Sequence, residues 1–392
     1  MHRLSHLFIS ACAAAALAAG MACTDQPVAP KVSSSAADRQ AASTSGGVYT
    51  MTNATTGNSI VAFSRDADGS LSPVGEFATG GLGTDGTVDP LQSQYSILLD
   101  DGNDGHGHRT LFVVDAGSND VAAFQVAEDA SLQLISRVSS GGTLPVSLAI
   151  QRNLLYVLNA GDNSVSGFRV TGKGSLIPIP NSTRSLSAGA AGASTIHFSA
   201  DGDFLIVTER DANRLETFAV QPNGRLGDPV VTPSNGAVPF GFDVTPSNLP
   251  IVSEAAGATP DGAVSSYEIT PTGALSVITG SLDAGGMAAC WVLLTADGHI
   301  AFVVNSASNA IASMGVADDG SLTLLNAQAA STGTGTIPID LDFAAGDRFL
   351  YVLEGGSGDI ATFDVGAGGT LSAQQVTPAG EAASGLQGIA AF

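Results

Sequence analysis

Residues 154–176 read LLYVLNAGDNSVSGFRVTGKGSL: an apolar run, an Asn-containing turn, a second run carrying Phe168, a Gly turn, and Leu176 opening a third run. The same arrangement recurs seven times. The step from the aromatic residue (once a Met) to the leucine is eight residues in every copy: Phe63/Leu71, Phe124/Leu132, Phe168/Leu176, Phe218/Leu226, Tyr267/Leu275, Met314/Leu322 and Phe363/Leu371. A constant step predicts a constant hairpin, because a one-residue slip turns every side chain to the other face. Successive copies lie 44 to 50 residues apart, except for a first interval of 61 that holds an insertion. A four-stranded unit of this size cannot bury both of its faces, so the units must stack and close into a ring. The expected fold is all-β: a seven-bladed β-propeller of four-stranded antiparallel blades over residues 46–392.

Within a blade, strands A to D run outward from the axis. The B strands are the apolar runs 48–52, 111–114, 155–158, 205–208, 251–253, 302–304 and 350–353. The A strands are expected at 92–99, 145–150, 195–199, 239–244, 290–294 and 337–343, and the seventh is GLQGIAAF at 385–392. The C-terminus is therefore expected to complete the N-terminal blade, which removes the open edges of the ring. The C–D turns (DADGS, VTGKGS, QPNGR, TPTGA, ADDGS, GAGGT) supply Gly for positive φ. The second copy has Ala130 there and is expected to turn differently.

Composition sets the class of partner. The 392 residues carry 14 Lys and Arg against 36 Asp and Glu, a formal charge of −22. Such a surface repels phosphate backbones, which excludes nucleic acid and admits cations, basic peptides or neutral sugars. With 48 Gly, 44% hydrophobic and 13% charged residues, the chain suits short strands and tight turns. No stretch keeps a 3.6-residue period, so almost no helix is expected after the leader.

The N-terminus has a short basic start (His2, Arg3), an apolar run over 7–19, and small residues leading to Cys23. Residues 1–22 read as a secretory signal, too short in its apolar part to span a membrane. Residues 23–45 read as a flexible tether. LAAGMAC resembles a bacterial lipoprotein box, with Cys23 lipidated; simple cleavage after Ala22 is the alternative. Either route places the protein outside the cytoplasm, in the periplasm, at the cell envelope or secreted. Membrane contact is expected only through Cys23, and the protein is expected to be a monomer. Cys12 goes with the leader and Cys290 is left alone, so no intramolecular disulfide is expected.

The candidate chemistry lies where the B strands end, at the mouth of the central channel: Asn53, Asp115, Asn159, Glu209, Glu254, Asn305 and Glu354. Asn and Asp cap tight turns through backbone amides. Glu is poorer at that task, so Glu209, Glu254 and Glu354 invite another role. Crowded carboxylates repel and raise their pKa values unless a cation or an Arg compensates, and Arg210 and Arg214 are near. No motif implies a cofactor; a divalent cation is the one that these carboxylates admit. A second cluster, Asp100, Asp101, Asn103, Asp104, His106 and His108, fits no calcium or zinc spacing and reads as a surface turn on the opposite face. His197 and the Cys290–Trp291 pair sit on A strands, where packing is the default; a Trp at a sugar-binding mouth is the alternative. There is no Gly-x-Ser-x-Gly elbow, Cys-x-x-Cys pair or phosphate loop.

The phrases LYVLNAGDNSVSGF and DGDFLIVTERDANRLETFAV resemble the seven-bladed lactonase family, which includes the 6-phosphogluconolactonase and carboxymuconate cyclase types. The resemblance runs from Gly46 to the end. It implies a lactone site lined by a Gly-Pro-Arg-His opening of the fourth A strand and an Asn-Glu ending of the following B strand. Here Gly192 matches, Ala193, Ser194 and Thr195 replace Pro-Arg-His, and Glu209 and Arg210 stand in place of Asn-Glu. The resemblance thus implies an exported lactone hydrolase, with Arg210 steadying the oxyanion and Glu209, Glu254 or His197 activating water. The other reading is a non-catalytic, envelope-tethered propeller that binds a small ligand, a carbohydrate or an envelope protein through the same mouth.

Overall fold

The computed structural model describes residues 46–102, 108–256 and 261–392. The leader, the tether with Cys23, and Asn103, Asp104 and His106 lie outside the described residues. Seven antiparallel sheets follow one another in chain order, six of them built from consecutive strands and the first completed by the last strand of the chain. Blade 4 is representative: Ala193–Phe198, Phe204–Glu209, Arg214–Ala219 and Val230–Pro233. Among the described residues, helix is confined to two three-residue 3-10 turns, Ser306–Ser308 and Ala367–Gly369.

The ring is closed by its two ends. Gln387–Ala391 pairs antiparallel with Gly46–Met51 as Val48↔Ala391, Tyr49↔Ala390, Thr50↔Ile389 and Met51↔Gln387. Blade 1 therefore takes its innermost strand from the C-terminus and the other three from the N-terminus.

One hairpin register is shared by all seven blades. The leucine opening each D strand faces the residue two places after the aromatic: Arg65↔Leu71, Val126↔Leu132, Val170↔Leu176, Val220↔Leu226, Ile269↔Leu275, Val316↔Leu322 and Val365↔Leu371. The seven aromatic-set side chains are at most 2% exposed. B strands are buried on both faces because blades stack on either side, which is why they read as unbroken apolar runs.

Two expectations are corrected. Ala130 does not change the C–D turn. It adopts φ +64 in the same loop where Gly174 and Gly224 stand at +80 and +78, and its N–H closes the same bond, to Ala127. The second correction is larger. The A strand of blade 2 is only Ile97–Asp100; residues 92–96 leave the sheet and fill the channel.

That filling comes from the insertion between blades 1 and 2. Ser93 Oγ donates to the Val146 carbonyl and Ser147 Oγ to the Gln94 carbonyl, both in blade 3. Ser194 Oγ of blade 4 donates to the Gln92 carbonyl, and Thr195 Oγ1 accepts from the Gln94 N–H. Tyr95 Oη reaches the Phe242 carbonyl of blade 5 at 3.3 Å. The Gln94 side-chain amide donates to the Val292 carbonyl of blade 6 at 2.8 Å. Gln387 of the closing strand accepts from the Leu91 N–H and donates to Asp89 Oδ1. Ser93, Gln94 and Ser96 are fully buried. The inner edges of propeller strands carry amides and carbonyls without a strand partner, and this segment satisfies them without lengthening any sheet.

Candidate functional site

The seven B-strand ends are buried, none more than 1% exposed, and several grip the linker that enters their own blade. Asp115 accepts from Thr79 Oγ1 at 2.6 Å and Asn58 Nδ2 at 2.9 Å. Glu254 accepts from the Gly236 N–H, Ser265 Oγ and Ser281 Oγ at 2.8, 2.5 and 2.6 Å. Asn305 donates to the Ala284 carbonyl and Asn53 to Thr84 and Asp85. Glu209 meets Arg214 through two N–H···O contacts of 3.0 and 3.2 Å and accepts from the Ala191 N–H. Arg214 also meets Glu216 at 3.2 Å. Burial and the Glu216 charge push the Glu209 carboxyl up, while Arg214 pulls it down. Arg210 turns away to Asp211 at 3.5 Å.

The four residues expected to share one site are thus spread out. Glu209 and Glu254 sit in separate blades with both carboxylate oxygens bonded. His197 faces Ile206, three residues along the strand from Glu209, a distance of roughly 10 Å. Trp291 is fully buried and its indole N–H donates to the Ser93 carbonyl. Of the acidic loop, Asp101 pairs with Arg109 at 3.2 Å and Asp100 accepts from the Gly102 N–H. Among the described residues no three His, Cys, Asp or Glu side chains converge to hold a metal.

The inserted segment occupies the positions that the resemblance marks as reactive. Ser194 and Thr195, standing in place of Arg-His, are bonded to Gln92 and Gln94. What the chemistry of the channel retains lies lower, beneath Tyr95. His197, Asp243 and Asp342 occupy equivalent positions on the A strands of blades 4, 5 and 7. Each faces a B-strand residue whose own partner immediately precedes the aromatic.

The geometry there is specific. His197 Nδ1 lies 2.7 Å from the Phe198 carbonyl, which can only accept, so the ring proton is on Nδ1. Nε2 lies 4.0 Å from Asp243 Oδ1, with the two side chains 32% and 15% exposed. The Tyr95 ring stacks obliquely at 5.3 Å and Phe242 meets the imidazole edge-on at 6.1 Å. Asp243 and Asp342 accept from the Leu294 and Ala391 N–H groups of the neighbouring inner strands. Burial raises the Asp243 carboxyl, and raises Asp342 to about 7. Burial, with Asp243, Asp340 and Asp342 nearby, also keeps the Tyr95 phenol protonated. Asp243 and Asp342 escaped the sequence reading, although aligning A strands on the aromatic set would have put them level with His197. Tyr95 escaped because residues 92–96 read as strand.

Comparison with known proteins follows the same lines. Residues 152–256, from blade 3 to blade 5, match the family model described as lactonase, 7-bladed beta-propeller. No curated protein matches the sequence. Among solved structures, a putative 6-phosphogluconolactonase from Bacteroides fragilis is 17% identical with a TM-score of 0.69, covering 89% of this chain and 98% of its own. The periplasmic gluconolactonase of Pseudomonas aeruginosa is 21% identical with a TM-score of 0.65, covering 88% and 99%. At these identities the structural likeness is one of fold. Over residues 152–256 the chain matches the lactonase family, and over its described length it has the seven blades of that family.

Proposed function

We propose that the protein is an exported lactone hydrolase acting at the lower mouth of the channel, with His197 as the general base. The observation that carries this reading is the setting of His197: Nδ1–H bonded to the Phe198 carbonyl, with Nε2 turned toward Asp243 at 4.0 Å. His197 Nε2 takes a proton from water as the oxygen attacks the lactone carbonyl carbon. The Tyr95 hydroxyl would serve the oxyanion by exchanging its 3.3 Å bond to the Phe242 carbonyl for one to the developing charge. Collapse breaks the ring C–O bond, and the departing alkoxide takes the proton back from the imidazolium. Asp243 steadies that imidazolium. The family match over residues 152–256 supports the reaction class. The leader at 1–22 and the likeness to a periplasmic gluconolactonase support export. Cys23 is the proposed lipid attachment point. Phosphorylated sugar lactones are cytoplasmic metabolites, so export points to unphosphorylated ones.

A panel of unphosphorylated sugar and aliphatic lactones, assayed with wild type, His197→Gln and Glu209→Gln, tests this. His197→Gln is expected to lose on the order of 10²–10⁴ in kcat, the usual share of general-base catalysis. Glu209→Gln is expected to turn over substrate as the wild type does. The reverse pattern would return the site to the B-strand ends.

One observation favours a second reading, a non-catalytic binder of a small ligand, carbohydrate or envelope protein. The chain's own Gln92–Gln94 occupies the place that the resemblance gives to the lactone. Absence of turnover on every lactone, with a sugar or envelope fraction raising Tm, selects it.

A further inference from the structure

The seven B-strand ends are an internal set of comparisons, and one of them is unanswered. In blade 5, Glu254 receives three donors, including Ser265 Oγ. In blade 4, Glu209 receives the Arg214 guanidinium. Registering the blades on their hairpins puts Ala361 of blade 7 where blade 5 has Ser265 and blade 4 has Glu216, since Val352↔Ala361, Val252↔Ser265 and Val207↔Glu216. Glu354 therefore lacks the donor that its counterpart has. Among the described residues its Oε2 accepts only from Ser357 Oγ, at 3.2 Å. Its Oε1 has no partner among the described residues, although the side chain is 1% exposed.

This carboxylate lines a cavity of about 270 Å³ between blades 6 and 7. The fully buried Thr362 hydroxyl, also without a partner among the described residues, lines it too. Ser331, Thr332, Gln374 and Gln375 complete its polar lining. A buried carboxylate oxygen without a donor is costly, and a cation with N–H groups is the complement that relieves it.

We propose that this cavity binds a small organic cation of guanidinium or amidinium type, placed toward Glu354 as Arg214 is placed toward Glu209. The planar fork of such a cation matches a carboxylate in two parallel bonds. Its remaining N–H groups meet the hydroxyls of Thr362, Ser331 and Thr332. The size of the cavity suits a small ligand. The −22 charge of the chain favours approach of a cation. Burial holds the Glu354 carboxyl up at about 7, which the cation reverses by stabilising the ionised form. The site is independent of the lower mouth and of any hydrolysis there.

Calorimetric titration of the full chain with methylguanidinium, and with methylurea as a neutral analogue of the same shape, tests the proposal. Methylguanidinium is expected to bind at least tenfold more tightly than methylurea. That binding disappears in Glu354→Gln and weakens about tenfold in Ala361→Ser, where a serine hydroxyl supplies the donor that Ser265 gives Glu254. If Glu354→Gln does not fold, Ala361→Ser decides alone. No heat with millimolar methylguanidinium, equal binding of methylurea, or undiminished binding by either variant overturns the proposal.

Discussion

The indole N–H of Trp291 donates to the backbone carbonyl of Ser93 at 3.1 Å, joining blade 6 to a segment 198 residues earlier in the chain. Both groups are fully buried. Trp291→Phe leaves that carbonyl without its donor and opens space around the ring. The expected cost is about 2–4 kcal/mol, combining a lost buried hydrogen bond with a partial cavity. Urea unfolding followed by circular dichroism measures it; a midpoint equal to wild type would falsify the anchoring role.

Closure by the C-terminal strand makes the last residues indispensable. Truncation after Ser384 removes every pairing of Val48–Met51 with Gln387–Ala391 and exposes the inner edge of blade 1. A large fall in thermal midpoint is expected, together with rapid hydrogen exchange in blades 1 and 2. Retention of the full-length midpoint contradicts the latch.

Hydroxyl groups cross the seams between blades at one recurring place, the carbonyl of the C–D turn. Tyr351 donates to the Gly69 carbonyl, Tyr156 to Gly224 and Tyr49 to Ala130, at 2.8, 2.8 and 3.1 Å. Tyr351→Phe keeps the packing and removes only the hydroxyl across the seam between blades 7 and 1. The expected loss is about 1–1.5 kcal/mol. A double-mutant cycle with a closing-strand substitution shows whether the two fastenings of blade 1 act together.

The left-handed turn position separates alanine from glycine in opposite directions. Ala130 is already accommodated at φ +64, so Ala130→Gly relieves backbone strain but gives up a buried methyl group and is expected within about 1 kcal/mol of neutral. Gly224→Ala sets a methyl group 2.7 Å from Ile179 Cδ1 at φ +78 and is expected to cost more than about 1 kcal/mol. Equal effects in denaturant unfolding speak against a shared turn.

Raised carboxyl pKa values predict how stability depends on pH. Burial lifts Asp342 and Glu354 to about 7 and Asp115 to about 6, above the ordinary values of 3.8 and 4.5. The folded chain therefore retains protons that the unfolded chain has released. This contribution is complete below the ordinary carboxyl range and is lost as pH rises from about 4 through 7. The urea midpoint should fall between pH 5 and pH 8, and Glu354→Gln should flatten the decline. A midpoint that rises over that interval reverses the assignment.

The blade count, the closing strand and the hairpin register were legible because each depends on local spacing repeated seven times. The 92–96 segment was not. Gln92 and Tyr95 take left-handed φ values of +50 and +63, and their bonds go to blades far away in sequence, which no local pattern encodes. The B-strand carboxylates were found by position, and Arg214 was named as a neighbour of Glu209, but the choice of Arg214 over Arg210 and the donors to Glu254 were not. Whether Glu209 meets Arg214 or Glu254 meets Ser281 depends on side chains brought together from different strands. His197 was singled out, while Asp243 was passed over inside an expected A strand, because its kinship with His197 shows only when the A strands are aligned on the aromatic set.

Biosynthesis inherits a constraint from the shared blade. Translation delivers Gly46–Met51 long before Gln387–Ala391, so the circle stays incomplete until the closing strand has been made. Nascent intermediates must wait with exposed edge amides, and any machinery that threads or shields this polypeptide can act until that strand emerges and the structure locks.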